Sequence, residues 1–285
     1  LVSAALSCLL AIPVARALAR RQFWGRSALI TLLGAPFLLP LIVAILGLLA
    51  VFGRNGLLNN LLEFLGLPEI SIYGFHGVVL AHVFFNMPLV TRLLLQGWLS
   101  IPAERFRLAA SLNAPVGRLL EWPMLRIVIP SAFLVVFLIC LTSFAVALTL
   151  GGGPKATTVE LAIYQALRFD FNLGRAALLA LVQFGICVIA AMMAWGLTLG
   201  DTTGTGLDRA VQRWDGGHKR DAIALILAAS FLLLPLAMVV LRGVPGLSEL
   251  PTDIWKAALR SVLVAISSSA LCTVLALSLA LRGGR

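Results

Sequence analysis

The stretch with the most chemically capable residues is LTLGGGPKATTVELAIYQAL, residues 148–167. Gly151, Gly152, Gly153, Lys155, Thr157 and Thr158 are the residue types of a phosphate cradle, in which backbone N–H groups and a lysine hold an anion. The spacing argues otherwise. A P-loop reads G-x-x-x-x-G-K-[ST] between a strand and a soluble helix, whereas Pro154 here separates Gly153 from Lys155. Glycines followed by Pro154 suit the end of a helix. Thr157 or Thr158 can cap the next helix, with Glu160 in its first turn. That helix, residues 159–167, is too short to span a bilayer and is expected to lie at a membrane surface.

No other constellation offers bond chemistry. Cys8, Cys140, Cys187 and Cys272 sit in apolar runs with no C-x-x-C partner, so they read as buried core cysteines. His76, His82 and His218 have no metal-ligand spacing. No metal and no cofactor are expected. His82 has no serine or acidic partner at helical spacing, which disfavours an intramembrane enzyme. No catalytic residue is expected, and the chain is not read as an enzyme.

The elements that carry these residues are set by composition. The chain has 285 residues, 60% hydrophobic and 12% charged, and its mean hydropathy is +1.02. A soluble domain carries roughly 25% charged residues, so the chain reads as an integral membrane protein embedded in lipid. Uncharged runs long enough to cross a bilayer occur at residues 27–53, 70–91, 127–154, 176–200, 222–241 and 261–281, and residues 1–15 read as part of a seventh. The runs are continuously apolar rather than alternating, which predicts an all-α polytopic bundle of seven helices and not a barrel. The chain begins at Leu1 inside an apolar run and ends on LALRGGR just after another, so a fragment is expected.

Lysine and arginine set the orientation. The connections after the first, third, fifth and seventh helices hold 15 of them, including Arg16, Arg20, Arg21 and Arg26, then Arg92, Arg105, Arg107, Arg118 and Arg126. The even connections hold 6, with Arg260 at the mouth of the last helix. The odd connections are therefore expected to face the cytoplasm. The net charge of +10 is largely this bias, and no nucleic acid is expected as a partner. The GGGPKATT segment falls on the opposite side, where no nucleotide is available.

The third connection, residues 96–126, is the longest inside loop and is not linker-like. Pro102 suits a first helical position and Glu104 a first turn, predicting a helix over residues 102–112. Ala109, Ala110 and Ser111 give it a small-residue face, and Asn113, Ala114 and Pro115 stop it. A second amphipathic piece runs over residues 116–122 and leads back to the membrane at Pro130. The helix either lies on the lipid surface or docks a cytoplasmic partner.

This loop resembles the cytoplasmic EAA loop of ABC-importer permeases, in which Glu-Ala-Ala is followed by Gly and then by Ile-x-Leu-Pro. Aligned on the alanines, Arg107 stands at the Glu position, Leu108 and Ala109 at the Ala positions and Asn113 at the Gly, with Pro123 arriving three residues early. Aligned on Glu104, the spacing to Pro123 is kept and Ala110 stands at the Gly. Both registers stay open. Asparagine at the Gly position can still adopt a left-handed conformation.

Within that family, LAHVFFNMPLVTRLLLQ, RLAASL, EWP and SFAVALTLGGGPKATTVELAIYQAL are similar to the permeases of thiamine (thiamine pyrophosphate) importers. The resemblance implies a type I permease fold of two fused six-helix halves. It implies partnership with two copies of a cytoplasmic ABC ATPase and with a periplasmic substrate-binding protein. Glu104, Arg107, Leu108, Ala109, Ala110, Asn113 and Pro123 would then form the ATPase-coupling loop. Gly151, Gly152, Gly153, Pro154, Thr157, Thr158 and Glu160 would form a periplasmic signature near where the binding protein docks.

Residues 268–280 match residues 3–15 at six of 13 positions, an internal repeat at an offset of 265. Residues 1–200 then read as a first half lacking its first helix. Residues 201–221 read as a cytoplasmic linker and residues 222–285 as the start of a second half. Polar neutral residues within the spans, His82, Asn86, Thr142, Ser143 and Gln183, either make helix–helix hydrogen bonds or line a substrate path. Phe85 is an aromatic candidate for a cationic substrate. Permeases for ferric iron or polyamine, and a non-transport membrane scaffold, are the alternatives.

Overall fold

The computed structural model describes residues 1–151, 157–196, 217–249 and 251–283. Gly152, Gly153, Pro154 and Lys155 of the glycine-rich segment lie outside the described residues, as do residues 201–216 of the expected linker. Every regular element described is helical, and seven helices are long and apolar enough to cross a membrane. The chain divides into two compact units, residues 1–239 and 240–285.

The first unit is organised around α1 (Val2–Arg20) and α6 (Phe75–Leu99). Ser3, Ala4, Ser7, Cys8, Ala11, Ala15 and Leu18 repeat at helical spacing and are all buried on α1. Lipid is as apolar as leucine, so helices in a bilayer associate through close packing, and small residues allow it. Opposite this seam α6 buries Phe84, Val90, Leu94, Leu95 and Trp98. Pro13 and Pro88 lie inside these helices without ending them. In a bundle, neighbouring groups satisfy the backbone that proline frees.

The expected span over residues 27–53 is not one helix. It is divided into α2 (Arg26–Leu32), α3 (Ala35–Leu38) and α4 (Leu41–Phe52). Leu39, ahead of Pro40, is extended (φ −79°, ψ 136°), as the ring of the following proline requires. The segment that spans is residues 41–64, in which α4 leads through a turn at Gly53–Gly56 into α5 (Leu57–Phe64).

The expected span 70–91 is shifted to α6, because Gly74 has φ +118° and starts the helix there. The expected return to the membrane at Pro130 occurs earlier. A π-helical turn at Gly117–Glu121 runs directly into α8 (Trp122–Leu141), with Pro130 inside the helix. The expected span 127–154 is broken at Thr142 and Ser143 into α8 and α9 (Phe144–Leu150).

Beyond α9 come α10 (Val159–Arg168), α11 (Leu173–Gly196) and α12 (His218–Gly243). Residues 218–221, expected at the end of a linker, form the first turn of α12. The second unit holds a 3₁₀ turn, Val244–Glu249, and α13 (Thr252–Gly283), which is exposed over residues 253–281.

Two glycines mark close helix crossings. A Cβ on Gly97 would stand 2.7 Å from Sδ of Met124, so α6 and α8 approach there. One on Gly47 would stand 2.7 Å from the carbonyl oxygen of Pro235, which brings α4 against α12. At the end of the bundle away from Arg16, Arg20 and Arg21, the N–H of Gly74 donates to the carbonyl of Leu150 at 2.8 Å. This ties the start of α6 to the end of α9.

Candidate coupling loop and transport path

The expected loop helix is α7 (Ala103–Ser111), one residue shorter at each end than the sequence pattern suggests. Pro102 stands at its N-cap and Glu104 in its first turn. Asn113 has φ +48°, and the N–H of Ala114 donates to the carbonyl of Ala109 at 2.8 Å. This is a left-handed stop with the six-to-one bond of a Schellman end, and asparagine is the commonest residue there after glycine. The left-handed turn expected at Asn113 is present.

The two faces of α7 differ. Phe106 and Ala109 are buried with Val116, and Ile101, Ala114 and Leu120 pack around them. Glu104, Arg107, Leu108 and Ala110 are exposed, Leu108 at 61%, and Leu112 just past the helix at 69%. The small-residue face read from Ala109 and Ala110 is thus divided. Ala109 belongs to the inner packing and only Ala110 to the outer surface. Pro123 lies in the first turn of α8, where its missing N–H leaves no bond unmade.

Glu121, which the sequence reading used only as a spacer in the loop pattern, is 4% exposed. Arg20 donates to its Oε1 through Nη2 at 2.6 Å and through Nε at 3.1 Å. Nε of Arg16 lies 3.2 Å from its Oε2. Arg16 and Arg20 are four residues apart on α1, hence on one face. That spacing was the available signal: two cations on one face near the membrane require an anion, and acidic residues are scarce in this chain. A second pair joins α1 to α12, with Nε of Arg21 2.6 Å from Oδ2 of Asp221. The buried Arg26 donates from Nε to the carbonyl of Leu18 at 2.9 Å. Arg126 lies 5.0 Å from the ring centroid of Trp122, in cation–π range.

The candidate path residues divide into separate places. His82 and Asn86 are 5% and 1% exposed. Nδ1 of His82 lies 3.2 Å from the hydroxyl of Ser3 on α1. Nδ2 of Asn86 donates to the carbonyl of His82 at 2.8 Å and reaches Sγ of Cys140 on α8 at 3.5 Å. They therefore knit α6 to α1 and α8. Phe85 is half-buried and meets Phe84 edge-on at 5.5 Å between centroids.

Thr142 and Ser143 sit at the break between α8 and α9, Thr142 exposed and Ser143 half-buried. The Thr142 hydroxyl donates to the carbonyl of Leu138 at 3.1 Å. Gln183 is elsewhere: on α11 it donates from Nε2 to the Glu160 carboxylate of α10.

At the end away from Arg16, Arg20 and Arg21, Gly151 closes α9. Of the two threonines that could cap the next helix, Thr158 does so, its hydroxyl accepting from the N–H of Leu161 at 3.3 Å. Thr157 precedes it and Glu160 lies in the first turn. Helix α10 lies against α11, and the Tyr164 ring meets Phe144 of α9 at 5.0 Å between centroids, tilted by 56°. Among the described residues no three of His, Cys, Asp and Glu gather as metal ligands. The arrangement offers an ion-paired end at Arg16, Arg20, Arg21, Glu121 and Asp221 and an opposite end tied through the main chain at Gly74 and Leu150.

No family model matches the chain. It is 43% identical over 292 residues to the thiamine transport system permease protein ThiP of Salmonella typhimurium and to that of Escherichia coli. Each alignment covers 98% of this chain and 54% of the relative. It is 36% identical over 295 residues to the corresponding protein of Haemophilus influenzae, covering 100% of this chain and 55% of that one. The chain spans about half the length of the curated relatives it matches.

Proposed function

Because the chain is homologous over nearly its whole length to the thiamine transport permeases, we propose that it forms part of a membrane permease that imports thiamine or thiamine pyrophosphate. That homology is the single observation that carries the reading. The importer would be ATP-driven and binding-protein-dependent, and would sit in the bacterial inner membrane. Residues 1–200 would be the first half of the permease, 201–221 the joint and 222–285 the start of the second half.

The mechanism is alternating access. Two copies of a cytoplasmic ATPase close on ATP, the exposed face of α7 carries that movement into the membrane helices, and the spans swing between inward- and outward-open states. The outer face of α7, with Glu104, Arg107, Leu108 and Ala110, supports this role because its apolar residues are exposed while Phe106 and Ala109 hold the helix to the chain. The periplasmic binding protein meets the opposite end, near Gly151, Thr158 and Glu160. This chain performs no bond chemistry, and ATP hydrolysis belongs to the partner. A cationic substrate would pass half-buried aromatics such as Phe85, with recognition left mainly to the binding protein.

The test is uptake of labelled thiamine by cells lacking their own importer. They would carry the full-length parent gene with the ATPase and binding-protein genes. Uptake is expected, and Ala110→Glu, on the outer face of α7, should abolish it while leaving the permease in the membrane. Failure to take up thiamine together with rescued growth on ferric iron or polyamine would overturn the substrate. Failure of any ATPase to co-purify would overturn the importer reading in favour of a membrane scaffold.

A further inference from the structure

We infer that Glu121 is the joint through which movement of α7 reaches α1, so that α7, the Gly117–Glu121 turn and α1 travel as one rigid body. The inference rests on α7 being the driven element of a transporter.

Three observations form an unbroken path. Phe106 and Ala109 of α7 share a small core with Val116 and Leu120, which fastens α7 to the turn. The turn places Glu121 4% exposed, between Arg16 and Arg20 of α1 at 3.2 and 2.6 Å. Helix α1 in turn lies along α6, and Ser3 in its first turn has its hydroxyl 3.2 Å from Nδ1 of His82. Ser3 and Arg20 are 17 residues apart in sequence, about 26 Å of helix at 1.5 Å per residue.

The physics favours joint movement. If α7 swung without α1, the Glu121 carboxylate would part from its arginines in a largely dehydrated site, leaving a buried charge uncompensated. Carrying α1 along keeps every bond. An arginine also holds a carboxylate in a fixed orientation through its planar fork, so the joint passes on rotation as well as translation. A movement that begins at the arginine-rich end thus arrives at the far end of α1, where Ser3 meets His82.

The test uses the full-length parent permease in lipid nanodiscs, in a cysteine-free background, with spin labels at exposed positions. One pair is Leu10 on α1 (50% exposed) and Leu108 on α7 (61%). The control pair is Leu108 and Leu178 on α11 (63% exposed). With the ATPase and a non-hydrolysable nucleotide, the control distance should shift and the Leu10–Leu108 distance should not. In Glu121→Gln the Leu10–Leu108 distribution should broaden and begin to follow nucleotide. Arg16→Gln, which leaves the Arg20 contact in place, should broaden it less.

The ratio of substrate imported to ATP hydrolysed should also fall in Glu121→Gln, by about tenfold, within the usual range of coupling between sites. Glu121→Asp should restore part of it. A Leu10–Leu108 distribution of equal width in parent and Glu121→Gln would overturn the joint, as would a parent distance that follows nucleotide as the control does. The width comparison needs neither substrate nor ATPase. It therefore decides the joint even if thiamine import itself fails. If Glu121→Gln does not reach the membrane, the Arg16→Gln comparison decides it.

Discussion

Truncating Leu108 to alanine measures directly whether α7 docks a partner. Leu108 is 61% exposed and lies outside the small core formed by Phe106, Ala109 and Val116. Full burial of a leucine side chain contributes about 1.5–3 kcal/mol. Covering the part still exposed is then worth about 1–2 kcal/mol, so Leu108→Ala should weaken ATPase affinity about five- to thirty-fold. The permease's own stability should change by no more than about 0.5 kcal/mol, as for surface substitutions generally. The assay is titration of purified ATPase onto the full-length permease in nanodiscs, with thermal unfolding of the permease alone beside it. Ala109→Leu is the contrasting variant. It overfills the inner face and should cost about 1–3 kcal/mol of stability. Unchanged ATPase affinity in Leu108→Ala would refute the docking face. It would favour instead a helix that lies on the lipid surface.

Three further outcomes are expected. Phe84 of α6 lies edge-on to Phe231 of α12 at 5.7 Å, so a double-mutant cycle of Phe84→Ala and Phe231→Ala should show a coupling of about 0.5–1.5 kcal/mol in detergent unfolding; independent effects would deny the contact. Gly47→Val places carbon against the carbonyl of Pro235, where even a Cβ stands at 2.7 Å. It should lower stability by about 1–3 kcal/mol, and a neutral result would mean that α4 and α12 do not cross there. Thr158→Ala removes the hydroxyl that caps α10 and should cost about 1 kcal/mol of stability. Hydrogen exchange at the N–H of Leu161 reads it, and unchanged exchange would reject the cap.

Hydropathy located the spans but not their interruptions. The run over residues 27–53 is apolar throughout, so hydropathy alone does not distinguish a crossing helix from the α2, α3 and α4 pieces; only its prolines, Pro36 and Pro40, mark the change. The breaks come from backbone geometry at Pro40 and Ser143, to which an apolarity scale is blind. Signals that act through the backbone were legible where they were read. Pro102, Glu104 and Asn113 bracketed α7, and the choice of two threonines contained the Thr158 cap.

The inner and outer faces of α7 were not legible. Over nine residues the helix is too short for periodicity to separate Ala109 from Ala110. Glu121 escaped for another reason: Arg20, its partner, is 101 residues away, and local spacing carries no record of it. The pair at Arg16 and Arg20 said only that some anion must come. His82 and Asn86 are four residues apart on α6, but the groups they meet, Ser3 and Cys140, arrive from α1 and α8, which local spacing does not record.

The bond from Gly74 to Leu150 joins the start of a spanning helix, α6, to the short α9 through main-chain atoms alone. A tie of this kind is indifferent to side-chain identity at the accepting position, since any residue at 150 offers the same carbonyl. The donor side is constrained only by its φ of +118°, which glycine alone meets easily. Side chains at that end can therefore vary while the alignment of α6 with α9 is held by the peptide backbone itself. Framework and surface are set there by different atoms.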